Sequence, residues 1–444
     1  MRHTLTRLPL AAMGVGAVAV AGARAEDVVL LETQSALRTI DAVDGSTRSR
    51  VRVKGIDGLV QLLGIDTRPS DRRLYGVTRN RLWVLDPDSG WATPVGPEFE
   101  PYDERSGSIE PGQAFDFDPA AGAARAFVQG PSAGTNPRAN HVLRIDPDTG
   151  VVSDPLAGID RHPHLAYAAG DAGSGQAIGL VLAAHDHNVA GATQTTAFGI
   201  DIARRTLIRI GDLDAPAPAT GEVPVQTVGA LTAVPDGDLL SGLEIDASGA
   251  ALLLTTGVQP FELTLRRIDL ATGGVTSSLK VPFALVTDLA IAPFPTLPAT
   301  EPLDLRTAVV RYDAARARRN TVEVHATVPI PADGWKRKVV RIDMSHHDGG
   351  DKHIAREFVL DRRGRGADGP DTFAVTGRAN ASNARVTIRL RGVDLWSLNV
   401  YPQTATGPLP LDVDLLLDGR PLHAQADLVY TATPGRGVAT LPRK

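Results

Sequence analysis

The sequence predicts an all-β protein: a β-propeller of about six blades, within a range of five to seven, followed by an immunoglobulin-like β-sandwich. Three observations carry this. Gly (44) and Pro (32) punctuate the 444 residues so often that most elements must be short and joined by turns. A strand-like run ending in Asp, a turn and often Gly recurs along the first two thirds of the chain. Beyond a Pro-rich segment the recurrence stops, and alternating strands with polar turns take its place.

Taken in order, residues 1–25 read as an export signal. Arg2 and Arg7 give a positive start, and Leu8–Gly22 is an apolar stretch too short to span a bilayer comfortably. Small residues Ala23 and Ala25 form a cleavage site, so the mature chain is expected to begin near Glu26, in the periplasm or outside the cell. No later segment approaches a transmembrane run. The chain has no Cys, which excludes disulfides, thiol catalysis and Cys-ligated metal sites.

Residues 26–293 form the expected propeller domain. One series of hairpins is Ala36–Gly45, Arg81–Gly90, His141–Gly150, Ala197–Thr206 and Leu265–Gly274. Their turn residues Asp41, Asp86, Asp146, Asp201 and Asp269 lie 45 to 68 residues apart. A second series, Leu62–Thr78, Ala114–Val128 and Leu240–Thr256, falls between them. Two linked hairpins make four strands, the content of one blade. The insertions Pro97–Gln113, which is acidic, and Asp214–Gln226, rich in Pro and Ala, are expected to project from one face. Residues 294–304 read as a Pro-rich linker. Residues 305–444 hold some seven or eight alternating runs, as in a β-sandwich.

Charge divides the same way. Glu26–Thr300 carries 21 Lys+Arg against 34 Asp+Glu, and Glu301–Lys444 carries 22 against 17. An acidic main body argues against nucleic acid as a partner.

The first domain resembles the bacterial domain-of-unknown-function family 4394. The resemblance rests on "LLGIDTRPSDRRLYGVT", "RLWVLDPDSGWATPVG", "AFDFDPAAG", "NHVLRIDPDTGVV", "NVAGATQTTAFGID" and "LRRIDLATGGVT", which run in the family's order over nearly all of Val28–Pro293. It implies a secreted or periplasmic β-propeller without an established activity, and it transfers no catalytic residue. The sequence departs from the family in the acidic insertion after Gly96 and in His185-Asp186-His187 before "NVAGAT". The C-terminal part is similar to a β-sandwich module of secreted bacterial proteins, through "ATVPIPADGW", "LDRRGRG" and "LVYTATPGRGVA". That likeness implies presentation or scaffolding.

The Asp-Pro-Asp-x-Gly hairpins invite a calcium reading, but the twelfth positions of the loops are Pro97 and Ala157, which offer no carboxylate. Turn chemistry explains the motif: Asp at the first position, Pro fixing φ at the second, and Gly where φ is positive. The weak metal candidates are His162 with His164 and His185 with His187. A His-x-His pair within a strand puts both rings on one face, where they could share a divalent metal. Ser345–His353 reads as a hairpin tip. Motifs for a serine nucleophile, a phosphate loop, a dinucleotide site and a zinc protease are absent from the sequence.

The expected role is therefore a non-enzymatic, monomeric binding protein. Its ligand, glycan or protein partner would meet the propeller-face loops, with no cofactor. The alternative is a metal-dependent hydrolase or lactonase-type propeller enzyme. That alternative demands three or four His, Asp, Glu or Asn side chains converging on one channel position.

Overall fold

The structure is a computed structural model. It describes residues 27–442 apart from 34–35, 57–59, 100–113, 134–135, 154–163, 180, 215–221, 259–260, 293–299, 347–352, 377–381, 399, 401–405 and 434. The export signal, most of both insertions, most of the linker, His162 and the centre of the Ser345–His353 turn lie outside the described residues. The described residues are all-β, with two 3-10 turns, Ala317–Arg319 and Leu395–Leu398, as their only helical elements.

Five four-stranded antiparallel units make up residues 28–291. Sheet I joins the two ends of this region: Val286–Ile291 pairs with Val28–Glu32, followed by Ala36–Ile40 and Thr47–Arg52. Sheet II holds Gly64–Arg68, Arg73–Val77, Leu82–Leu85 and Ala92–Val95. Sheet III holds Phe115–Asp118, Ala123–Ala133, Asn136–Ile145 and Val152–Ser153. Sheet IV holds Val181–His185, Ala197–Asp201, Thr206–Ile210 and Glu222–Ala230. Sheet V holds Leu239–Ile245, Ala251–Thr256, Leu263–Ile268 and Val275–Val281. A short strand, His164–Tyr167, bonds to the outer strand of sheet IV and to Asn136–Ile145, so sheets III and IV join at their rims.

The first strand of each unit is innermost. These five strands touch in a closed cycle, I to II to III to IV to V and back to I. Each neighbouring pair of sheets encloses its own apolar layer. Examples are Leu31, Leu37 and Leu74 between I and II, and Leu182, Ile200 and Leu253 between IV and V. The architecture is propeller-like, and pairing the chain's first described strand with Val286–Ile291 closes the ring. Five sheets are described where about six were expected. Among the described residues, the long connection 186–196 takes up chain length that a fixed blade period would assign to strands.

The recurring turns form as their residues dictate. The Asp86 and Asp146 carboxylates accept the N–H groups of Asp88 and Asp148, and Gly90 and Gly150 have φ of +78° and +70°. Four of the five turn aspartates join the third and fourth strands of their unit. Asp201 instead joins the second and third of sheet IV.

The C-terminal region differs from the expected two-sheet sandwich. Its strands form one continuous sheet, from His353–Val359 through Val339–His346, Gly407–Leu417, Arg420–Thr433, Arg436–Thr440, Asp304–Asp313, Thr321–Pro329, Asn383–Arg391 and Asp371–Thr376 to Arg365–Asp368. The two terminal strands of that order lie against each other, which gives a barrel-like wall around one core. Long strands make this possible: in the 14-residue strand Arg420–Thr433, Arg420–Tyr430 pairs with Gly407–Leu417 and Val429–Thr433 pairs with Arg436–Thr440. Glu301–Pro302, at the end of the expected linker, adds a short parallel pairing to Leu422–His423.

Polar contacts join this barrel to sheet I. Arg52 meets the fully buried Asp343 at 2.5 Å, Gly55 N–H donates to Asp343 Oδ2 at 3.0 Å, and Lys54 meets Asp414 at 2.8 Å. Burial works to raise the Asp343 carboxyl, but the Arg52 guanidinium and His353 hold it well below the carboxylate range.

Candidate metal centre

Each innermost strand contributes one ionisable side chain near the axis: Asp288, Asp66, Asp116, His185 and Glu244 from sheets I to V. Apolar neighbours such as Ile65, Phe117 and Leu243 pack into the layers between sheets. An innermost strand is also an edge strand, with N–H groups that no further strand can accept. The carboxylates accept several of them. Asp288 Oδ2 takes the Ile65 N–H at 2.9 Å, Asp66 Oδ2 the Phe117 N–H at 2.7 Å, and Asp116 Oδ2 the His185 N–H at 2.9 Å. Each of these bonds passes from one sheet to the next around the ring.

Close approach of the inner strands needs glycine at two positions. A Cβ on Gly64 would stand 2.7 Å from Phe115 Cβ, and one on Gly242 would stand 2.5 Å from Leu289 Cδ2. Each glycine precedes an acid by two residues, in Gly64-Ile65-Asp66 and Gly242-Leu243-Glu244. Both would-be Cβ atoms also come within 3.0 Å of Asp288.

The ring tightens on one side. Asp66, Asp116 and Glu244 each offer a carboxylate oxygen, and the three oxygens lie within 4.8 Å of one another. The residues are 1%, 2% and 1% exposed, so water cannot screen them. Burial, partly offset by hydrogen bonds, raises Asp66 from 3.8 to about 6. Burial and then the neighbouring carboxylates push Asp116 and Glu244 well above the usual range. Burial does the same to Asp288. Three carboxylates this close cannot all be ionised without a counter-charge, and a divalent cation supplies one. An all-oxygen donor set with no thiolate suits a hard ion of the calcium or magnesium class.

One further oxygen points to an ion. The connection between the first two strands of sheet IV carries Asn188 over the cluster, where its Nδ2 donates to Glu244 Oε1 and to the Ile245 carbonyl, both at 3.3 Å. Asn188 Oδ1 is buried without a hydrogen-bond partner. The hydroxyl of Thr67, a residue 9% exposed, is also buried without a partner, but it lies on the opposite face of its strand from Asp66. Asn188 and Thr67 line a hollow of about 420 Å³ at the ends of the inner strands.

A larger cleft of about 750 Å³ opens beside it over sheets III and IV, lined by Asp118, His185, His187, Thr195, Arg209 and Asp214 among others. Polar contacts run from the cluster to this cleft. His185 Nδ1 hydrogen-bonds to the Asp116 carboxylate, and its Nε2 lies 4.0 Å from Asp118 Oδ2. Arg125, 1% exposed, ties Asp118 at 2.9 Å to Asp214 at 2.6 Å. Burial lowers His185 to about 4, so its imidazole is neutral near pH 7.

Of the histidines read from the sequence, His162 lies outside the described residues, and His185 and His187 differ in burial. His164 sits in the strand between the rims of sheets III and IV, its ring centroid 5.9 Å from that of His141. His185 ends an innermost strand and is buried, whereas His187 lies beyond the strand end, with φ of +52° and an exposed side chain paired with Asp186 at 2.8 Å. Period-two geometry stops where the strand stops, so His187 stands exposed at the cleft while His185 is buried at its floor. Asp66, Asp116, Glu244 and Asp288 were not singled out. Their signal was an acid inside an apolar inner strand, as in "GIDT", "FDFD", "GLEI" and "TDLA".

A family model described as "Domain of unknown function (DUF4394)" matches residues 36–290. No curated protein matches the chain. Among solved structures it is similar to a calcium-binding protein, regucalcin, from Agrobacterium tumefaciens, at 16% identity over 59% of this chain and 72% of that one, with a TM-score of 0.31. It is also similar to a luciferin-regenerating enzyme, at 14% identity over 68% of this chain and 84% of that one, with a TM-score of 0.32. A third is the Dos1 propeller, at 10% identity over 94% of this chain and 92% of that one, with a TM-score of 0.28.

Proposed function

The chain belongs to the DUF4394 family, a domain of unknown function, and on that premise we propose that it is a five-bladed propeller hydrolase dependent on a hard divalent cation in its channel. One observation carries the reading: Asp66, Asp116 and Glu244, from three different sheets, bring buried carboxylate oxygens within 4.8 Å of one another. A bound cation would polarise a substrate oxygen or activate water. The chain's own residues supply the rest. Asp66, Asp116 and Glu244 hold the ion. Asp116 also orients His185, which stands between the cluster and the cleft. Asp118, Arg125 and Asp214 brace the cleft floor.

The proposed setting is the periplasm or the cell exterior, supported by the apolar segment and small-residue site at the N-terminus. Among the described residues no helix is long and apolar enough to cross a membrane. The barrel is proposed as a rigid mount, supported by the Arg52–Asp343 and Lys54–Asp414 pairs.

A second reading, a non-enzymatic binding protein, is favoured by the bonds from Asp288, Asp66 and Asp116 to the N–H groups of neighbouring strands. Those bonds give the acids a structural purpose without an ion. Hydrolysis assays on a simple carboxylic ester, a lactone and a phosphoester, with calcium or magnesium and with chelator, separate the two. Turnover that needs the cation and disappears in Glu244→Gln is expected. A cation-loaded protein that turns over none of the three classes would leave the binding reading in place.

A further inference from the structure

One connection touches both the ion cluster and the cleft. Residues 186–196 leave His185 and return to Ala197. Their base is fastened: Asp186 N–H donates to the Thr196 carbonyl at 3.0 Å, Thr196 N–H to the Asp186 carboxylate at 2.5 Å, and the Thr195 hydroxyl to the Asp186 carbonyl at 2.8 Å. The tip rests on the channel through the two 3.3 Å bonds of Asn188. Both are long for N–H to oxygen bonds. His187 and Gly191, with φ of +52° and +75°, bracket the tip. On one side Asn188, Val189 and Ala190 line the hollow above the acids, and on the other Thr193–Thr196 line the cleft.

The channel presents more oxygen than the protein satisfies. Asn188 Oδ1 is buried without a partner, on a side chain whose amide nitrogen already reaches the Glu244 carboxylate. A calcium-class ion takes six to eight oxygens, roughly twice what three carboxylate groups provide with one oxygen each. Neutral amide oxygens complete such a shell.

We propose that Asn188 is a further oxygen ligand of the channel cation, and that the ion draws the 186–196 connection onto the channel and thereby sets the Thr193–Thr196 wall of the cleft. The proposal rests on the reading of Asp66, Asp116 and Glu244 as a cation site. Because coupling of this kind is reciprocal, the cation and a ligand in the cleft strengthen each other's binding. The cleft is then competent only in the cation-loaded protein.

The test uses the full chain and calcium chloride alone as probe. Calcium binding is measured by titration calorimetry, and amide hydrogen exchange is followed over 186–196 with and without calcium. In the wild type, calcium is expected to slow exchange in this segment about tenfold. Asn188→Ala is expected to bind calcium about tenfold more weakly and to show no such slowing, whereas Asn188→Asp, which keeps an oxygen at that position, retains it. Calcium binding with unchanged exchange in the wild type, or equal protection in Asn188→Ala, overturns the proposal and leaves the cation site standing. Failure of the wild type to bind calcium overturns both.

Discussion

Replacing Asp66 by Asn separates the charge of the channel carboxylates from their hydrogen bonding, and the sign of its effect depends on the cation. At pH 8 in chelator the wild-type side chain is ionised in a place where burial has raised its carboxyl from 3.8 to about 6. The folded pKa lies above the unfolded one. The folded state is therefore favoured at low pH, and that advantage is lost as pH rises through about 6. By pH 8 the loss is about 3 kcal/mol. The amide removes it. The amide also has one acceptor oxygen where the carboxylate uses two, on Thr67 N–H at 2.5 Å and Phe117 N–H at 2.7 Å. Losing one of these bonds costs about 1–2 kcal/mol. In chelator, Asp66→Asn should thus be more stable than wild type by about 1–2 kcal/mol, roughly 4 °C in Tm for a domain of this size. With calcium at about 100 times Kd the wild type gains about 2.7 kcal/mol and the variant little, so the order reverses. Differential scanning calorimetry at pH 8, in chelator and in calcium, reads both differences. A variant less stable under both conditions, or an equal gain from calcium in both proteins, would refute the reasoning.

Other consequences follow from the same geometry. Calcium affinity should fall as pH drops, because Asp66, raised to about 6, and Asp116 and Glu244, pushed well above the usual range, regain protons that compete with the ion; calorimetric titrations at pH 5.5, 7 and 8 check this, and a flat profile contradicts it. Gly64→Ala places a Cβ 2.7 Å from Phe115 Cβ and should cost about 1–3 kcal/mol by forcing inner strands apart, read as a lower urea midpoint. Arg52→Ala leaves the fully buried Asp343 without its guanidinium partner and should cost about 3–5 kcal/mol; an unchanged urea midpoint would show that the joint between propeller and barrel does not depend on that pair.

The strands and their turns were legible because they obey local rules. Asp86 and Asp146 cap their turns as Asp-Pro-Asp-x-Gly requires, and Gly90 and Gly150 take the positive φ that the motif reserves for glycine. The number of sheets was less legible, because connections such as 186–196 have no length rule. The barrel could not be told from a sandwich, since both present the same alternation, as in Thr321–Pro329, and differ only in which edges meet. The candidate site was hidden for a different reason. Asp66, Asp116 and Glu244 are separated by 50 and 128 residues, and only the closed ring brings them together. The histidine pairs drew notice because they are close in sequence, yet the end of the strand at His185 sends His187 to the surface.

The central claim is that three inner-strand carboxylates hold one hard cation. Equilibrium dialysis of the purified chain against calcium chloride at pH 8, followed by elemental analysis, tests it most directly. The account predicts about one ion per chain for the wild type and a loss of that ion in Asp66→Asn and Glu244→Gln variants that remain folded by circular dichroism. A wild-type protein that retains no calcium or magnesium after such loading would contradict it, and the acids would then be a hydrogen-bonded seam between sheets.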